Sequence, residues 1–310
     1  MSDTRKKTMM PFAFFEDKII ESEKAKISIA AHSIQYGTTC FSGMRGYLRG
    51  SEIRVFRIYD HYERLINAAK ILGWDFQMEF DKFQKAISDL IKANKPKSDC
   101  YFRPFIYSED EELTPKFKGI SYDMAMYMIP LGDYLDTSRG LRLIVSSWKK
   151  FQDASIPTKA KAGGSYLNSS LARTEAIRYG YDEALVMDDN WNIVEGSAEN
   201  FMIVYRGEVI IPQVGSSMLE GITMRTVIDI LKEQKIPFRF EKIDRSMLYT
   251  CDEVLLTGTG AQILFAESVD DRPIGNKSMG AVCKILRDEF SKIIEMKNTI
   301  SNKWITKITI

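Results

Sequence analysis

The chain has 310 residues, about 45% apolar and 27% charged, with a formal charge of +1. That is the profile of a globular protein with room for two ordinary domains, and it offers no electrostatic footprint for nucleic acid or for an anionic membrane. No stretch approaches the roughly 18 consecutive apolar residues of a membrane helix, and the basic start MSDTRKKTMMPFAFF lacks the apolar core of a secretory signal. Four scattered cysteines (Cys40, Cys100, Cys251, Cys283) without a CxxC pair suggest neither a zinc site nor a disulfide framework. With two histidines, His32 and His61, a His-rich metal site is not expected either. A cytoplasmic α/β protein is the expectation.

In chain order, residues 12–30 read as a hairpin around the charged segment FEDKIIESEKAK, and Ser51–Arg57 as a strand. Tyr59–Leu72 has helical spacing through Leu65, Ala68, Ala69 and Leu72, with Gly73 as a stop. A second amphipathic helix is predicted over 80–93, with Phe83, Ile87, Leu90 and Ile91 on one face. Strands at 101–107 and 122–129 close a first, smaller domain, 1–131, and the acidic run Glu109–Glu112 reads as a solvated loop. Turn residues mark 132–140 as a linker. A larger domain, 141–310, is then predicted to hold strands at 141–148, 183–187, 201–205 and 253–257, with helices at 167–179, 222–234 and 279–294.

Several short stretches could carry chemistry. In Thr158-Lys-Ala-Lys-Ala-Gly-Gly-Ser-Tyr166, a lysine precedes small residues and two glycines that would let backbone approach a flat ligand. An exposed lysine in a Gly-rich turn would read the same way. A free lysine, with a pKa near 10.4, is almost wholly protonated at neutral pH, and bringing it to about 7.4 costs about 4 kcal/mol. Desolvation or covalent imine formation can supply that, so such a lysine needs a cofactor partner. Val194-Glu-Gly-Ser-Ala-Glu-Asn200 offers a carboxylate able to hold a pyridine nitrogen protonated, or a turn glutamate. Leu219-Glu-Gly-Ile-Thr-Met-Arg225 puts a glycine before a helix, a natural phosphate seat. Thr257-Gly-Thr-Gly-Ala261 is a second small-residue turn able to cradle an anion. Arg64 lies on the first helix and, taken alone, is a surface arginine.

Together and in this order, these parts resemble the class IV (fold type IV) pyridoxal-phosphate-dependent aminotransferases, and among them the branched-chain amino acid aminotransferases. The resemblance runs from about Phe14 to near Ile294, through HSIQYGTTCFSGMRGY, YFRPF, IPTKAKAGGSYLNS, VEGSAENF, GITMRTV and LTGTGAQI. It implies a two-domain α/β (α+β) fold with pyridoxal 5'-phosphate at the domain interface. It makes Lys161, not Lys159, the lysine that forms an imine with the cofactor, a choice chemistry alone could not make. It pairs Glu195 with the pyridine nitrogen and Tyr166 with the phenolic oxygen. It gives the phosphate to Arg64, to Gly221, Ile222 and Thr223, and to Gly258 and Thr259.

For the substrate, the resemblance implies that the N–H groups of Thr259 and Gly260, with Tyr101, meet the α-carboxylate, and it puts Ala261 in the substrate-binding group. Arg103, with Tyr36 from a partner subunit, would meet the side-chain carboxylate of glutamate. Phe41 and Tyr134 would line the apolar pocket, and Arg45 belongs to the same substrate-binding group. The implied reaction is ping-pong transfer from L-leucine, L-isoleucine or L-valine to 2-oxoglutarate, in a homodimer or hexamer. Sister activities on the same fold, D-amino-acid aminotransferase and 4-amino-4-deoxychorismate lyase, share Lys161 and Glu195, and a non-catalytic vitamin B6-binding protein is the non-enzyme alternative. Three departures concern the pocket: Ser42 stands where the family commonly has glutamate, Leu131 where many members have tryptophan, and Gly260 where alanine is usual.

Overall fold

The computed structural model describes residues 9–132, 139–213 and 218–310. They form two compact units.

The first unit holds the described residues up to Gly132, the short segment Ala162–Gly164, and Ile300–Ile310. Its strands are β1 (Phe12–Phe15), β2 (Lys18–Glu21), β3 (Cys40–Phe41), β4 (Met44–Arg49), β5 (Glu52–Phe56), β6 (Cys100–Tyr107) and β7 (Asp123–Pro130). A hairpin forms, but shorter than the expected 12–30: β1–β2 turns at Glu16 and Asp17, both with positive φ, so its second strand lies inside the charged segment. Helix α1 (His32–Tyr36) precedes β3, and α2 (Ile58–Ile71) and α3 (Phe80–Asn94) stand where periodicity puts them. Helix α2 buries Ile58, Leu65, Ala68 and Ala69, and α3 buries Phe83, Ala86, Ile87, Leu90 and Ile91. Those are the i, i+3/i+4 positions of one apolar stripe. The segment Ala162–Gly164 is held by Gly163 N–H donating to the Thr39 carbonyl (2.7 Å) and Gly164 N–H to that of Gly37 (3.1 Å). The acidic run is more than a solvated loop. Asp110 accepts from Ser121 N–H (2.7 Å) and Oγ–H (2.6 Å), and its carbonyl accepts from His32 N–H (2.7 Å).

The second unit holds the described residues from Arg139 to Lys161 and Ser165–Thr299. Its strands are β8 (Leu141–Lys149), β9 (Glu183–Met187), β10 (Ile193–Gly196), β11 (Asn200–Tyr205), β12 (Glu208–Pro212), β13 (Phe238–Glu241), β14 (Glu253–Gly258), β15 (Gln262–Val269) and β16 (Arg272–Pro273). The order is β10-β9-β8-β15-β14-β11-β12-β13, and β10 also pairs with β11 through Glu195 and Asn200. That extra pairing closes β10-β9-β8-β15-β14-β11 into a barrel-like ring. Leu143, Leu185, Met187, Ile193, Phe201, Leu256 and Leu264 share its core. Helix α4 (Tyr166–Arg178) buries Ala172 and Ala176 against Ala184 and Val186 of β9, so both faces of that strand are covered. Helices α5 (Ile222–Glu233), α6 (Arg245–Leu248) and α7 (Ala281–Ile294) complete the unit.

The sequence reading assigned all of 141–310 to the second domain, but the last eleven residues belong to the first unit. Helix α8 (Ser301–Trp304) leads into β17 (Ile305–Thr309), which runs antiparallel to β5 from Ile305↔Phe56 to Thr309↔Glu52. Arg57 locks this return. Its N–H donates to the Trp304 carbonyl (2.6 Å) and its guanidinium lies 4.6 Å from the Trp304 ring. No helix among the described residues is long and apolar enough to cross a membrane.

Candidate active site

The site in the second unit is built from two strand irregularities and one helix start. Between Val145 and Lys149, β8 advances four residues while its parallel neighbour β9 advances two, from Leu185 to Met187. On the other side of β9, β10 is irregular between Ile193 and Glu195, which pair with Met187 and Val186. Bulges of this kind re-aim side chains. Helix α4 holds the β8 bulge in place: Glu175 accepts from Ser147 N–H (2.9 Å) and Oγ–H (2.6 Å), and Asn168 Nδ2 donates to the Lys149 carbonyl (2.9 Å). Past the bulge, Asp153 Oδ1 accepts from Thr158 N–H (2.9 Å) and sets up a single 3-10 turn, Thr158–Ala160, that ends at Lys161.

Lys161 has φ +48°, in the left-handed region. A non-glycine residue in such a conformation costs on the order of 1 kcal/mol or more and persists where its surroundings demand it. Its Nζ donates to Tyr166 Oη at 2.6 Å, at the start of α4. The pocket around them is lined by Lys150, Thr158, Glu195, Ser197, Glu199, Asn200 and Leu219 among others, and with its open mouth holds about 440 Å³ of space. Glu195 is 5% exposed, and its carboxylate forms an ion pair with Lys150. Glu199, equally buried, accepts from Ala198 N–H (3.2 Å). Burial pushes the Glu199 carboxyl above its ordinary value, against the opposing pull of Arg173 and Lys161.

The anion-binding candidates sit beside this pocket. No side chain caps α5 at Gly221, so the first-turn N–H groups at Ile222 and Thr223 remain for a ligand. Asn200 Nδ2 donates to the Leu219 carbonyl (2.7 Å), and a Cβ on Gly221 would lie 1.9 Å from Asn200 Oδ1. Gly221 is therefore needed for close approach. Thr259, Gly260 and Ala261 form the turn between β14 and β15, and Gly258 packs on Glu199. Thr257 Oγ is buried without a hydrogen-bond partner among the described residues, in register with Asn200.

The remaining candidates lie in the first unit. Arg64, on α2, donates to Ser42 Oγ (3.1 Å). Phe41, Tyr101 and Arg103 are brought together: Arg103 lies 4.5 Å from the Phe41 ring and donates to Tyr101 Oη (3.2 Å). Arg45 pairs with Tyr101 across β4 and β6 and donates to the Gly132 carbonyl (2.8 Å). Tyr36 lies elsewhere, with its hydroxyl on the Leu113 carbonyl. Tyr134 falls outside the described residues.

Sequence reasoning missed Lys150 and gave Glu199 no role. The pair of lysines after Trp148 was a signal, but one shared with any solvated strand end. The four cysteines are buried and form no disulfide, and no cluster of three or more His, Cys, Asp or Glu able to hold a metal occurs among the described residues.

A lysine held by a tyrosine hydroxyl, a buried carboxylate in the same pocket and an uncapped helix start define a site for an anionic carbonyl cofactor, as used by enzymes that transfer amino groups. Residues 39–269 match the amino-transferase class IV family. A protein of Aquifex aeolicus that carries the name probable branched-chain-amino-acid aminotransferase is 39% identical over 302 residues, 96% of this chain and 97% of its own. The crystal structure of the branched-chain aminotransferase from Thermoproteus uzoniensis with norvaline superposes with a TM-score of 0.92 at 34% identity, covering 96% of this chain and 99% of that one. The branched-chain amino acid aminotransferase from Thermobaculum terrenum, in its PLP-bound holo form, gives 0.91 at 27% identity, covering 98% of this chain and 100% of that one. This chain belongs to the class IV amino-transferases. Members of the class use pyridoxal 5'-phosphate, and the residues present fit it: an amine, a buried carboxylate, a phenol, an uncapped helix start and an unpartnered buried hydroxyl.

Proposed function

We propose that this chain is a branched-chain amino acid aminotransferase, moving the amino group of L-leucine, L-isoleucine or L-valine reversibly to 2-oxoglutarate to give the branched 2-oxo acid and L-glutamate. The observation that carries the reading is Lys161 Nζ on Tyr166 Oη in a pocket that also holds Glu195. The likeness to branched-chain enzymes over nearly the whole chain supports the substrate class.

Pyridoxal 5'-phosphate supplies an electron-accepting ring that stabilises negative charge at the substrate Cα. The rest falls to side chains. Lys161 Nζ would serve as the base that takes the proton from the substrate Cα. Tyr166 orients that amine. Glu195 would hold the ring nitrogen protonated through a charge-assisted hydrogen bond. The N–H groups at Ile222 and Thr223, with Gly221, Gly258, Thr259 and Arg64, are assigned the phosphate. Thr259, Gly260 and Tyr101 are assigned the α-carboxylate, Arg103 with Tyr36 contributed by a partner subunit the side-chain carboxylate of glutamate, and Ala261 belongs to the substrate group. Phe41, Arg45 and Tyr134 complete the substrate group. The packing of Phe41, Tyr101 and Arg103 on one another supports a subsite with an apolar wall and a carboxylate-binding rim. A cytoplasmic location and a homodimer as the minimal assembly belong to the same proposal.

The test is turnover of L-leucine with 2-oxoglutarate, followed as L-glutamate formed, in the purified protein and in Lys161→Ala. Formation of L-glutamate that is abolished in Lys161→Ala is expected. Full turnover in the variant would refute the assignment, and turnover confined to D-alanine would move the chain to the D-specific sister activity.

A further inference from the structure

Glu195 and Glu199 are two carboxyl groups lining one pocket with Lys161, and each is 5% exposed. Two buried like charges so placed disfavour one another, and environments that differ decide which carries the charge. Here the difference is Lys150. Its ammonium makes the ion pair with Glu195, with side chains 11% and 7% exposed, and rests 4.5 Å from the Phe151 ring. The cation nearest in electrostatic effect to Glu199 on α4, Arg173, pairs instead with Glu183. Burial raises the Glu199 carboxyl, while Glu195 is the one of the two that holds a lysine ion pair.

The backbone makes this pairing more than a chance meeting of a long side chain. Lys150 and Glu195 follow irregularities on the two strands that flank β9, and both irregularities fall at its end. Lys150 N–H donates to the Met187 carbonyl (2.8 Å), while Ile193 and Glu195 pair with Met187 and Val186. Without the residues inserted in β8, the lysine would not stand opposite the glutamate. The bulge is in turn clamped by Glu175 and Asn168 of α4, the helix that begins with Tyr166.

We propose that Lys150 is a positioning residue for this site: its ammonium anchors one oxygen of Glu195 across the end of β9, so that the other is presented to the ring nitrogen of the cofactor. A carboxylate has two acceptor oxygens and can serve both partners. In this role Lys150 acts through Glu195. The inference rests on the proposed function, since it gives Glu195 the ring nitrogen.

The experiment titrates pyridoxal 5'-phosphate into the protein and into Lys150→Met, Lys150→Arg, Glu195→Gln and the double variant Lys150→Met/Glu195→Gln. The dissociation constant, the absorbance maximum of the bound cofactor and the melting temperature are read for each. Lys150→Met is expected to weaken binding about ten- to a hundredfold, the range for losing a charged hydrogen bond, and to shift the absorbance band. Lys150→Arg restores the band and most of the affinity. In the Glu195→Gln background the lysine change adds no more than about twofold, the tolerance of independent sites. A Lys150→Met protein that binds within about twofold of the parent with an unmoved band overturns the proposal, as does the full loss reappearing in the Glu195→Gln background. Should Lys150→Met fail to fold, the double variant, which removes both charges, decides by whether it matches Glu195→Gln. A parent protein that takes up no pyridoxal 5'-phosphate would instead sink the proposed function.

Discussion

Adding one methyl group at Gly43 tests whether the Tyr101–Arg103 pair recognises substrate. A Cβ there would lie 1.7 Å from Tyr101 Oη and 2.4 Å from Cζ, where carbon contacts settle at about 3.5–4 Å. Gly43 is not among the residues with positive φ, so alanine suits the backbone and the collision falls on the phenol. The ring must retreat by about 2 Å to restore contact distance, which breaks the 3.2 Å hydrogen bond from Arg103 Nη2. A hydrogen bond to a charged group contributes about 1.5–3 kcal/mol, which corresponds to about 10- to 150-fold in kcat/KM. Because the end of a side chain moves and not the backbone, the stability cost stays near the ~1–3 kcal/mol of overpacking. The assay is kcat/KM for L-glutamate and L-leucine with thermal melting of Gly43→Ala. The expected result is a folded protein, a few degrees less stable, with the larger loss on L-glutamate. A folded variant with unchanged kinetics would refute the substrate role of the pair.

Four further outcomes are expected. Arg103→Ala should impair L-glutamate and 2-oxoglutarate far more than L-leucine, and equal losses in kcat/KM would sink its assigned role. Gly221→Ala puts a Cβ 1.9 Å from Asn200 Oδ1 and should weaken pyridoxal 5'-phosphate about three- to tenfold, the value of one ordinary hydrogen bond; unchanged affinity by titration would contradict this. Burial pushes the Cys40, Cys100, Cys251 and Cys283 thiols up to about 12, so none should react with a thiol reagent at pH 8 until the protein is denatured. Glu199 is an acid raised in the folded state, so the folded chain binds the proton more tightly than the unfolded one, and its contribution to stability declines as pH rises above the ordinary 4.5. Glu199→Gln should flatten that decline in melting temperature between pH 5 and 8, and a steeper decline would reverse the sign of the argument.

The local structure was legible where one period dominates. Helices α2 and α3 carry a single apolar stripe, and β9 buries all five of its residues, so the predicted bounds fall within a residue or two of those observed. What escaped depends on distant partners. Strand β17 reads as an unremarkable tail, since its place is set by β5, some 250 residues away. Helices α1, α6 and α8 and strands β3, β4, β10, β12, β13, β15 and β16 have no counterpart in the sequence reading because they are short, or are recognisable only through their neighbours in the sheets. The motifs around Lys161, Glu195 and Gly221 stand out in the sequence because each gathers its candidate chemistry within a few adjacent residues, and the resemblance singles out Lys161 and Glu195. Lys150 was not, because its meaning comes from inserted residues in β8 that bring it to a glutamate 45 positions later.

Transamination of L-amino acids at Lys161 is read from the absorbance spectrum of the protein loaded with pyridoxal 5'-phosphate, recorded before and after L-leucine and, separately, D-alanine. L-Leucine is expected to abolish the cofactor's visible band and 2-oxoglutarate to restore it, while D-alanine leaves it untouched. A band that ignores L-leucine, or that answers only to D-alanine, would contradict transamination of L-amino acids.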